Sequence, residues 1–373
     1  MKKTNKKTLL LTGATGFLGS HIMAELLKND YKLIIFGRAN SKNSLKERLC
    51  NLIKWFDLED LNDNLQLVEV DFAKDLCGLS IKTVNEFSGQ IDEIIHCASD
   101  TNFSEKKREL VFQANVHNLT SILEFARKTK IKFFHYISTA YVNDINVYEE
   151  SKFMAEQKIR KYCLKYEIPF SIIRPSIVYG NSKNGRSIKF NALYFPIKSL
   201  YFIKEIYMKD IRVNSGKKAF PLNIHLDKND VLNLPIRIML PERGFINLIP
   251  IDYFVEATMK IIENAKKDTI YHVTNNVPTT IETLLAYSQK FFNVKGLQIL
   301  YGVMDPIKNP PEELLNKYIE PYLPYFSDTR CFDRKNTDII TNKLPIPEFS
   351  YEIFTRCMHY ALQVDWGRKL NLT

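Results

Sequence analysis

Short apolar runs alternate with longer amphipathic stretches through the first 175 residues. Runs such as Leu33-Ile34-Ile35-Phe36 present no polar face, as expected of strands covered by helices on both sides of a parallel sheet. The pattern predicts strands over residues 8–11, 32–36, 65–70, 93–96, 133–138 and 170–174. Between them it predicts helices over 17–28, 44–55, 108–128 and 148–166, with a short one near Val84. This is the rhythm of βαβ units, so the expected fold class is α/β, a Rossmann-type doubly wound parallel sheet. After Pro175 the rhythm changes. Residues 182–242 are rich in aromatics and Lys and are broken by Pro196, Pro221, Pro235 and Pro241. An α/β pattern returns at 245–264 and 270–274, followed by a helix over 281–292; residues 297–347 are again Pro-punctuated. We therefore expect a nucleotide-binding Rossmann domain over 1–181, completed by about 245–292. Residues 182–244 and 293–373 are expected to form a smaller, carboxyl-terminal substrate lobe.

Composition narrows the partners. The 373 residues carry a formal charge of +10, which suits nucleic acid, an anionic membrane surface or acidic ligands. The lysines are spread along the chain and no nucleic-acid-binding motif appears, which leaves phosphate-rich ligands in front. Six cysteines form no C-x-x-C pair and no His stands at metal-ligand spacing, so no metal is expected and a reduced, cytoplasmic protein is. Lys2, Lys3, Lys6 and Lys7 before Leu9-Leu10-Leu11 resemble the start of a signal peptide. The apolar run breaks at once at Thr12-Gly13, too early for one. No apolar run approaches the length of about 18 residues that a transmembrane helix needs.

The chemistry begins in Thr12-Gly13-Ala14-Thr15-Gly16-Phe17-Leu18-Gly19, which follows a predicted strand and opens a predicted helix. Gly13 and Gly16 let the backbone turn sharply against a pyrophosphate, and Gly19 lets the helix pack closely on the strand. The helix N-terminus offers free N–H groups to the phosphates, with Thr15, Phe17 and Leu18 alongside. At the end of the second strand stands Gly37-Arg38 in place of the carboxylate that would receive a ribose 2′-hydroxyl. Arg38, with Arg48 on the next helix, can pair with a 2′-phosphate, so NADP(H) is favoured over NAD(H). Asp71 and Phe72, closing the third strand, are placed to meet the adenine; a turn role for Asp71 is the competing reading. Tyr148 and Lys152 are four apart, hence on one face of a helix. An ammonium there can lower the phenol's pKa and hold the ribose hydroxyls, while Tyr148 donates a proton to an oxygen gaining charge. Ser138-Thr139 ends a strand at the carboxyl edge of the sheet, where a hydroxyl can complete an oxyanion site. His96, His135 and His272 read as packing residues, and Cys97 as a small buried hydrophobe.

These motifs together resemble the extended short-chain dehydrogenase/reductase family. The branch they are most similar to is shared by fatty acyl-CoA reductases and thioester reductase domains (male-sterility-type NAD-binding). The resemblance runs over roughly residues 8–292. It is carried by the glycine loop, His96–Ser99, Asn115-Val116, Tyr136–Val142, Tyr148–Lys152 continuing into Ala155-Glu156, Ile173–Ser182, Asn247–Tyr253 and Tyr271–Asn275. It implies Tyr148 as proton donor, Lys152 as its lysine, and Thr139 as the hydroxyl partner ahead of Ser138. It places Pro175 and Ser176 beside the nicotinamide and Ala98 and Ser99 along the cofactor, with Asn115 supporting the central helix or a proton relay. The implied reaction is reduction by NADPH of an acyl-CoA or acyl carrier protein thioester to an aldehyde or alcohol. No adenylation or carrier segment is read, so the activated substrate is expected from elsewhere. The segment 189–218 interleaves aromatics with Lys and Arg, a surface that suits an acyl chain, an acidic carrier or peripheral membrane contact; solvated lobe helices are the plainer reading. Only nine positions separate Thr139 from Tyr148, where the family usually has a much longer loop. The pocket is therefore expected to be more open, or covered by the carboxyl-terminal lobe. Two other readings stand beside this one: an epimerase, dehydratase or ketone reductase of the same extended family, and a non-catalytic cofactor-binding scaffold or sensor.

Overall fold

In the computed structural model, which describes residues 7–58, 64–142, 146–302, 308–370 and 372, the alternating N-terminal pattern becomes parallel strands and covering helices. In chain order they are β1 (Thr8–Thr12), α1 (Phe17–Lys28), β2 (Lys32–Gly37), α2 (Leu45–Trp55), β3 (Leu65–Glu69), α3 (Ile81–Glu86) and β4 (Glu93–His96). Then come α4 (Arg108–Phe112), α5 (Leu119–Thr129), β5 (Phe133–Ile137), α6 (Val147–Lys165), β6 (Phe170–Pro175), β7 (Ile177–Tyr179) and α7 (Tyr194–Val213). The remainder comprises β8 (His225–Leu226), β9 (Leu232–Leu240), β10 (Phe245–Ile246), β11 (Leu248–Pro250), α8 (Ile251–Asn264), β12 (Thr269–Val273) and β13 (Thr279–Thr280). It ends with α9 (Ile281–Phe292), β14 (Val294–Tyr301), α10 (Pro310–Ile319), α11 (Leu323–Phe326), α12 (Lys335–Ile340) and α13 (Tyr351–Gln363).

Seven strands form one parallel sheet in the order β12-β6-β5-β4-β1-β2-β3. Successive strand residues point to opposite faces. Leu9, Leu11, Leu33 and Ile35 accordingly enter one core with Ile22 of α1, Leu49 of α2 and Phe254 of α8. Leu10, Ile34 and Phe36 enter the other with Val84 of α3, Leu123 of α5 and Ile159 of α6. The order reverses between β1 and β4, and at that switch point the carboxyl ends of the strands open a crevice. Helix starts are locally encoded. Ser44 and Glu47 close a capping box on α2, and the Asn146 side chain accepts from the Glu149 N–H to start α6.

A separate hydrophobic core joins α7, β9, β14, α9, α10 and α13. Leu232, Leu234, Ile236, Ile238 and Leu240 of β9 are buried while their neighbours are half-exposed, a clean period of two. Pro235 inside that strand lacks an N–H, and its partner β14 shifts register between Lys295 and Leu297, where Gly296 has φ +91°. The bulge absorbs the missing donor. The single helix expected over 108–128 is instead two, α4 and α5, joined by a π turn at Gln113–His117. Among the described residues no helix is long and apolar enough to cross a membrane, no group of side chains is arranged to hold a metal ion, and all six cysteines are unpaired.

Candidate active site

The glycine loop joins β1 to α1 at the switch point. Gly13 has φ +74°, and a Cβ there would lie 2.6 Å from the Ala98 nitrogen, so the loop rests directly on the chain leaving β4. A Cβ at Gly19 would lie 2.2 Å from the Gly13 oxygen, so only glycine lets α1 start this close to the loop. Thr12 fixes the arrangement from below, its hydroxyl bonded to His96 Nδ1 (2.9 Å) and accepting from the Ala98 N–H (3.2 Å). Gly16 caps α1 with no side chain over the helix end and no acid in the first turn. The end is therefore a ready anion site. Arg48 spans the loop and β2: its guanidinium donates to Thr15 Oγ1 (2.8 Å) and to the Arg38 carbonyl (2.9 Å), while its Nε is buried without a partner. Burial, then repulsion from Arg38, lowers its pKa. Among the described residues neither arginine is paired with a carboxylate, so a phosphate would satisfy both.

Among the described residues Asp71 makes no hydrogen bond or ion pair with either arginine. Its carboxylate is exposed and accepts from the Ala73 N–H (3.0 Å), which is the turn role, while the Phe72 ring packs edge-on against His96 with centroids 6.3 Å apart. Neither lines the central cavity. That cavity, of about 830 Å³, brings together Gly16, Phe17, Leu18, Gly19, Ser99, Thr139, Tyr148, Lys152, Pro175 and Ser176 of the sequence-derived set. Gly13, Thr15, Arg38, Arg48 and Ala98 are not among the lining residues: Gly13 and Thr15 belong to the glycine loop, Arg38 and Ala98 follow β2 and β4, and Arg48 is on α2.

Within the cavity the two hydroxyls after β5 are distinguished by their partners. Ser138 donates to Glu156 (2.6 Å), whose carboxylate is held by Arg174 (2.9 and 2.6 Å), so that hydroxyl belongs to a buried ion pair. The Thr139 oxygen accepts from the Tyr141 N–H (3.2 Å) and keeps its own proton to donate. Lys152, nearly inaccessible, donates to the Ile137 carbonyl (2.8 Å) and sits 4.6 Å over the Tyr136 ring. Burial lowers its pKa to about 8. Burial raises the Tyr148 phenol well above its ordinary value, with nearby Cys97 and Glu149 acting in the same direction. The expectation that Lys152 depresses the phenol is thus corrected for the protein alone: desolvation dominates both groups, and Tyr148 is firmly protonated. The Ser176 hydroxyl is buried, lines the cavity and has no partner. Asn115, presented by the π turn, is taken up entirely by protein. Its oxygen accepts from Ser99 Oγ (3.0 Å) and the Asp100 N–H (2.7 Å), and its nitrogen donates to the Asp100 carbonyl (2.8 Å) and Ser151 Oγ (2.9 Å). It ties the strand-end loop to the helix of Tyr148 rather than facing the cavity.

Part of the short connection after Thr139, residues 143–145, lies outside the described residues, and the chain packs its far end against the residues on either side. Tyr325 packs 5.4 Å from the Tyr141 ring and 5.9 Å from Phe103, and Phe103 packs 5.8 Å from Tyr148. Asn146 donates to the Tyr325 hydroxyl (2.7 Å), and Arg330 lies over the Tyr141 ring and 3.6 Å from the buried Glu149. The carboxyl-terminal segment thus contributes Tyr322, Tyr325 and Phe326 to the cavity wall. Sequence reasoning missed Phe103, Lys189 and Tyr325, all of which line the cavity. Only Lys189 carried a signal, as the first cation of the basic aromatic segment.

Comparison with known proteins agrees with this geometry. The family described as Male sterility protein, an NAD-binding family, matches residues 11–147 and 145–258, well over half of the chain. A nonribosomal peptide synthetase, asaC of Aspergillus flavus, is 25% identical over 378 aligned residues, covering 90% of this chain and 33% of that protein. The chain spans a third or less of the length of the first curated relatives it matches. Among solved structures, the terminal R domain from the myxalamid PKS-NRPS biosynthetic pathway superposes with a TM-score of 0.71 at 20% identity, covering 98% of this chain and 92% of that one. A UDP-glucuronic acid 4-epimerase from Bacillus cereus, in complex with UDP-glucuronic acid and NAD, gives 0.64 at 17% identity, covering 96% and 99%. At these identities the superpositions establish the fold.

Proposed function

The chain belongs to the male sterility protein family of NAD(P)-binding extended short-chain dehydrogenases/reductases, and on that premise we propose that it is an NADPH-dependent reductase of acyl thioesters. One observation carries the reading: Thr139, Tyr148 and Lys152 share a cavity with the glycine loop at one end and an apolar extension at the other. The anion-ready start of α1, the unpartnered Ser176 hydroxyl and the uncompensated Arg38–Arg48 pair fit a phosphorylated dinucleotide. Gly13 to Gly19 would hold its pyrophosphate, Arg38 and Arg48 its 2′-phosphate, and Pro175 and Ser176 its nicotinamide end. Bound there, the cofactor supplies the hydride that reduces the thioester carbonyl.

The residues of the chain manage the oxygen. Thr139 donates a hydrogen bond to it, and Tyr148, kept protonated by burial, gives it a proton as negative charge develops. Lys152, an ammonium below about pH 8, holds the ribose hydroxyls and favours the phenolate left behind. The hemithioacetal then collapses to a thiol and an aldehyde, which is released or reduced again to an alcohol. The thiol carrier is coenzyme A or an acyl carrier protein, both anionic and suited to a chain of charge +10. A reducing cytoplasm suits the six unpaired thiols. The test is purified protein with NADPH and a panel of acyl-CoAs, the products identified by mass. Aldehyde or alcohol from a thioester is expected. Cofactor binding with no turnover on any thioester would sink the reading in favour of a scaffold, and turnover confined to sugar nucleotides or ketones in favour of the other reductase chemistries.

A further inference from the structure

The cavity does not stop at the reacting groups. Three helices of the separate core, α7, α9 and α10, each turn one stripe of side chains toward it, spaced i, i+3, i+4, i+7. On α9 the stripe is Ile281, Leu284, Leu285 and Ser288; entering and along α7 it is Leu193, Pro196, Ile197 and Leu200. On α10 and the turn after it the stripe is Leu315, Tyr318, Ile319 and Tyr322. Such stripes ordinarily pack against one another, and unfilled apolar space in a core is destabilising. Here they wall an apolar gallery within a cavity of about 830 Å³, in the size range of ligand sites.

Its direction follows from the neighbours. Tyr322 meets Phe103 (6.1 Å between rings), and Phe103 meets Tyr148, so this end lies at the reacting groups. Ile281 follows β13, which pairs with β10 beside Asn247, whose N–H donates to the Tyr141 hydroxyl. Two helical turns on, about 10 Å at 1.5 Å per residue, the walls are Leu200, Ser288 and Leu315, closed by Ile238 of β9 and Leu297 of β14. Apart from tyrosine hydroxyls, Ser288 carries the only polar side-chain group on these stripes, and that hydroxyl donates to the Leu284 carbonyl (2.7 Å). Lys317 of α10 also lines the cavity, while Leu200, Ile238, Leu297 and Leu315, which make the far end among the described residues, are pure hydrocarbon and offer no hydrogen bond or charge to a sugar, a base or an amino acid.

We infer that this gallery takes the hydrocarbon tail of the acyl group, and that Leu200, Ser288, Leu297 and Leu315 set the chain length the protein accepts. The inference rests on the thioester reading for the identity of the head group. It makes the preferred substrate an unbranched aliphatic thioester of medium length rather than an aminoacyl or short polar one.

Non-reducible S-alkyl-CoA thioethers test it by calorimetry in the presence of NADP⁺, alongside reduction of the matching acyl-CoAs. From S-ethyl to S-octyl each added methylene is expected to tighten Kd by up to about fourfold, the equivalent of about 0.8 kcal/mol per buried methylene, and the gain is expected to flatten for S-hexadecyl. Ser288→Phe should weaken S-octyl binding tenfold or more and leave S-ethyl and NADPH binding unchanged. Leu297→Ala, which enlarges the far end, should move the flattening to longer chains and serves where the bulky variant does not fold. Equal affinity for S-ethyl-CoA and S-octyl-CoA, or variants that change all lengths alike, would overturn the inference even if thioesters are reduced. Length-dependent binding with no reduction would instead sink the catalytic reading and leave the tail site standing.

Discussion

Tyr148 and Lys152 stand one turn apart on α6, and burial moves their protons in opposite senses, holding the phenol's proton on and loosening the ammonium's. Tyr148→Phe removes the proposed proton donor and leaves the Thr139 hydroxyl in place. It is expected to cut kcat by about a hundredfold or more while NADPH affinity, read by fluorescence titration, stays within a factor of a few. Lys152 gives a pH dependence whose sign is fixed. Its pKa falls from 10.5 to about 8, so activity that needs the ammonium is full below 8 and declines as pH rises through 8. Its contribution to stability runs the other way: the unfolded chain keeps that proton up to about 10.5, so the folded state gains between pH 8 and 10.5. A kcat/KM profile flat to pH 10 would remove Lys152 from the chemistry. Arg38 and Arg48 repel each other, a repulsion that a 2′-phosphate held as proposed would relieve. A charge-assisted hydrogen bond is worth about 1.5–3 kcal/mol, so Arg38→Glu should reverse the ratio of kcat/KM between NADPH and NADH. An unchanged ratio would exclude Arg38 from the cofactor site.

At the scale of elements, the legible parts were those whose chemistry is local. The strand–helix rhythm, the glycine loop and the Ser44 cap announce themselves within a few residues, and those elements lie within a residue or two of their expected bounds. The π turn did not, because the pattern of 108–128 is that of an uninterrupted helix and the extra residue is stabilised by Asn115 reaching Asp100 and Ser151. Asn115→Ala would leave the Asp100 N–H and the Ser151 hydroxyl short of partners at about 1–3 kcal/mol for such buried groups. A melting temperature lowered by several degrees is therefore expected, with Ser99 and Tyr148 losing their common anchor and kcat falling with it. A variant as stable and as active as wild type would show that the π turn holds nothing. Pro235 hid β9 because proline argues against a strand, and only the bulge at Gly296, some sixty residues away, reconciles the two. The carboxyl-terminal part of the cavity wall was hidden for the same reason: Asn146 and Tyr325 are 179 positions apart. The short loop signalled a pocket either more open or lined from the carboxyl-terminal lobe, and only tertiary packing brings Tyr325 to it.

One cavity brings together the end of the glycine loop, Thr139, Tyr148 and Lys152, and apolar side chains from α7, α9 and α10. On the thioester reading, a net charge of +10 is expected to draw an anionic carrier to the protein. Attraction of an anionic carrier raises encounter rates by about 10–10³ and is lost as salt shortens the Debye length to about 8 Å at physiological ionic strength. The same acyl group delivered on coenzyme A and on a small uncharged thiol such as N-acetylcysteamine separates this term from the chemistry, because tail and carbonyl are identical. With NADPH saturating, kcat/KM for the coenzyme A thioester should fall at least severalfold between 20 mM and 500 mM salt, while that for the uncharged thioester changes little or rises as salt strengthens apolar burial. Parallel salt dependence for the two would mean that the charge serves the cofactor alone. Kcat is expected to be common to both thioesters wherever collapse of the hemithioacetal is fast, so the difference belongs in KM, where a field acting before the chemistry must appear.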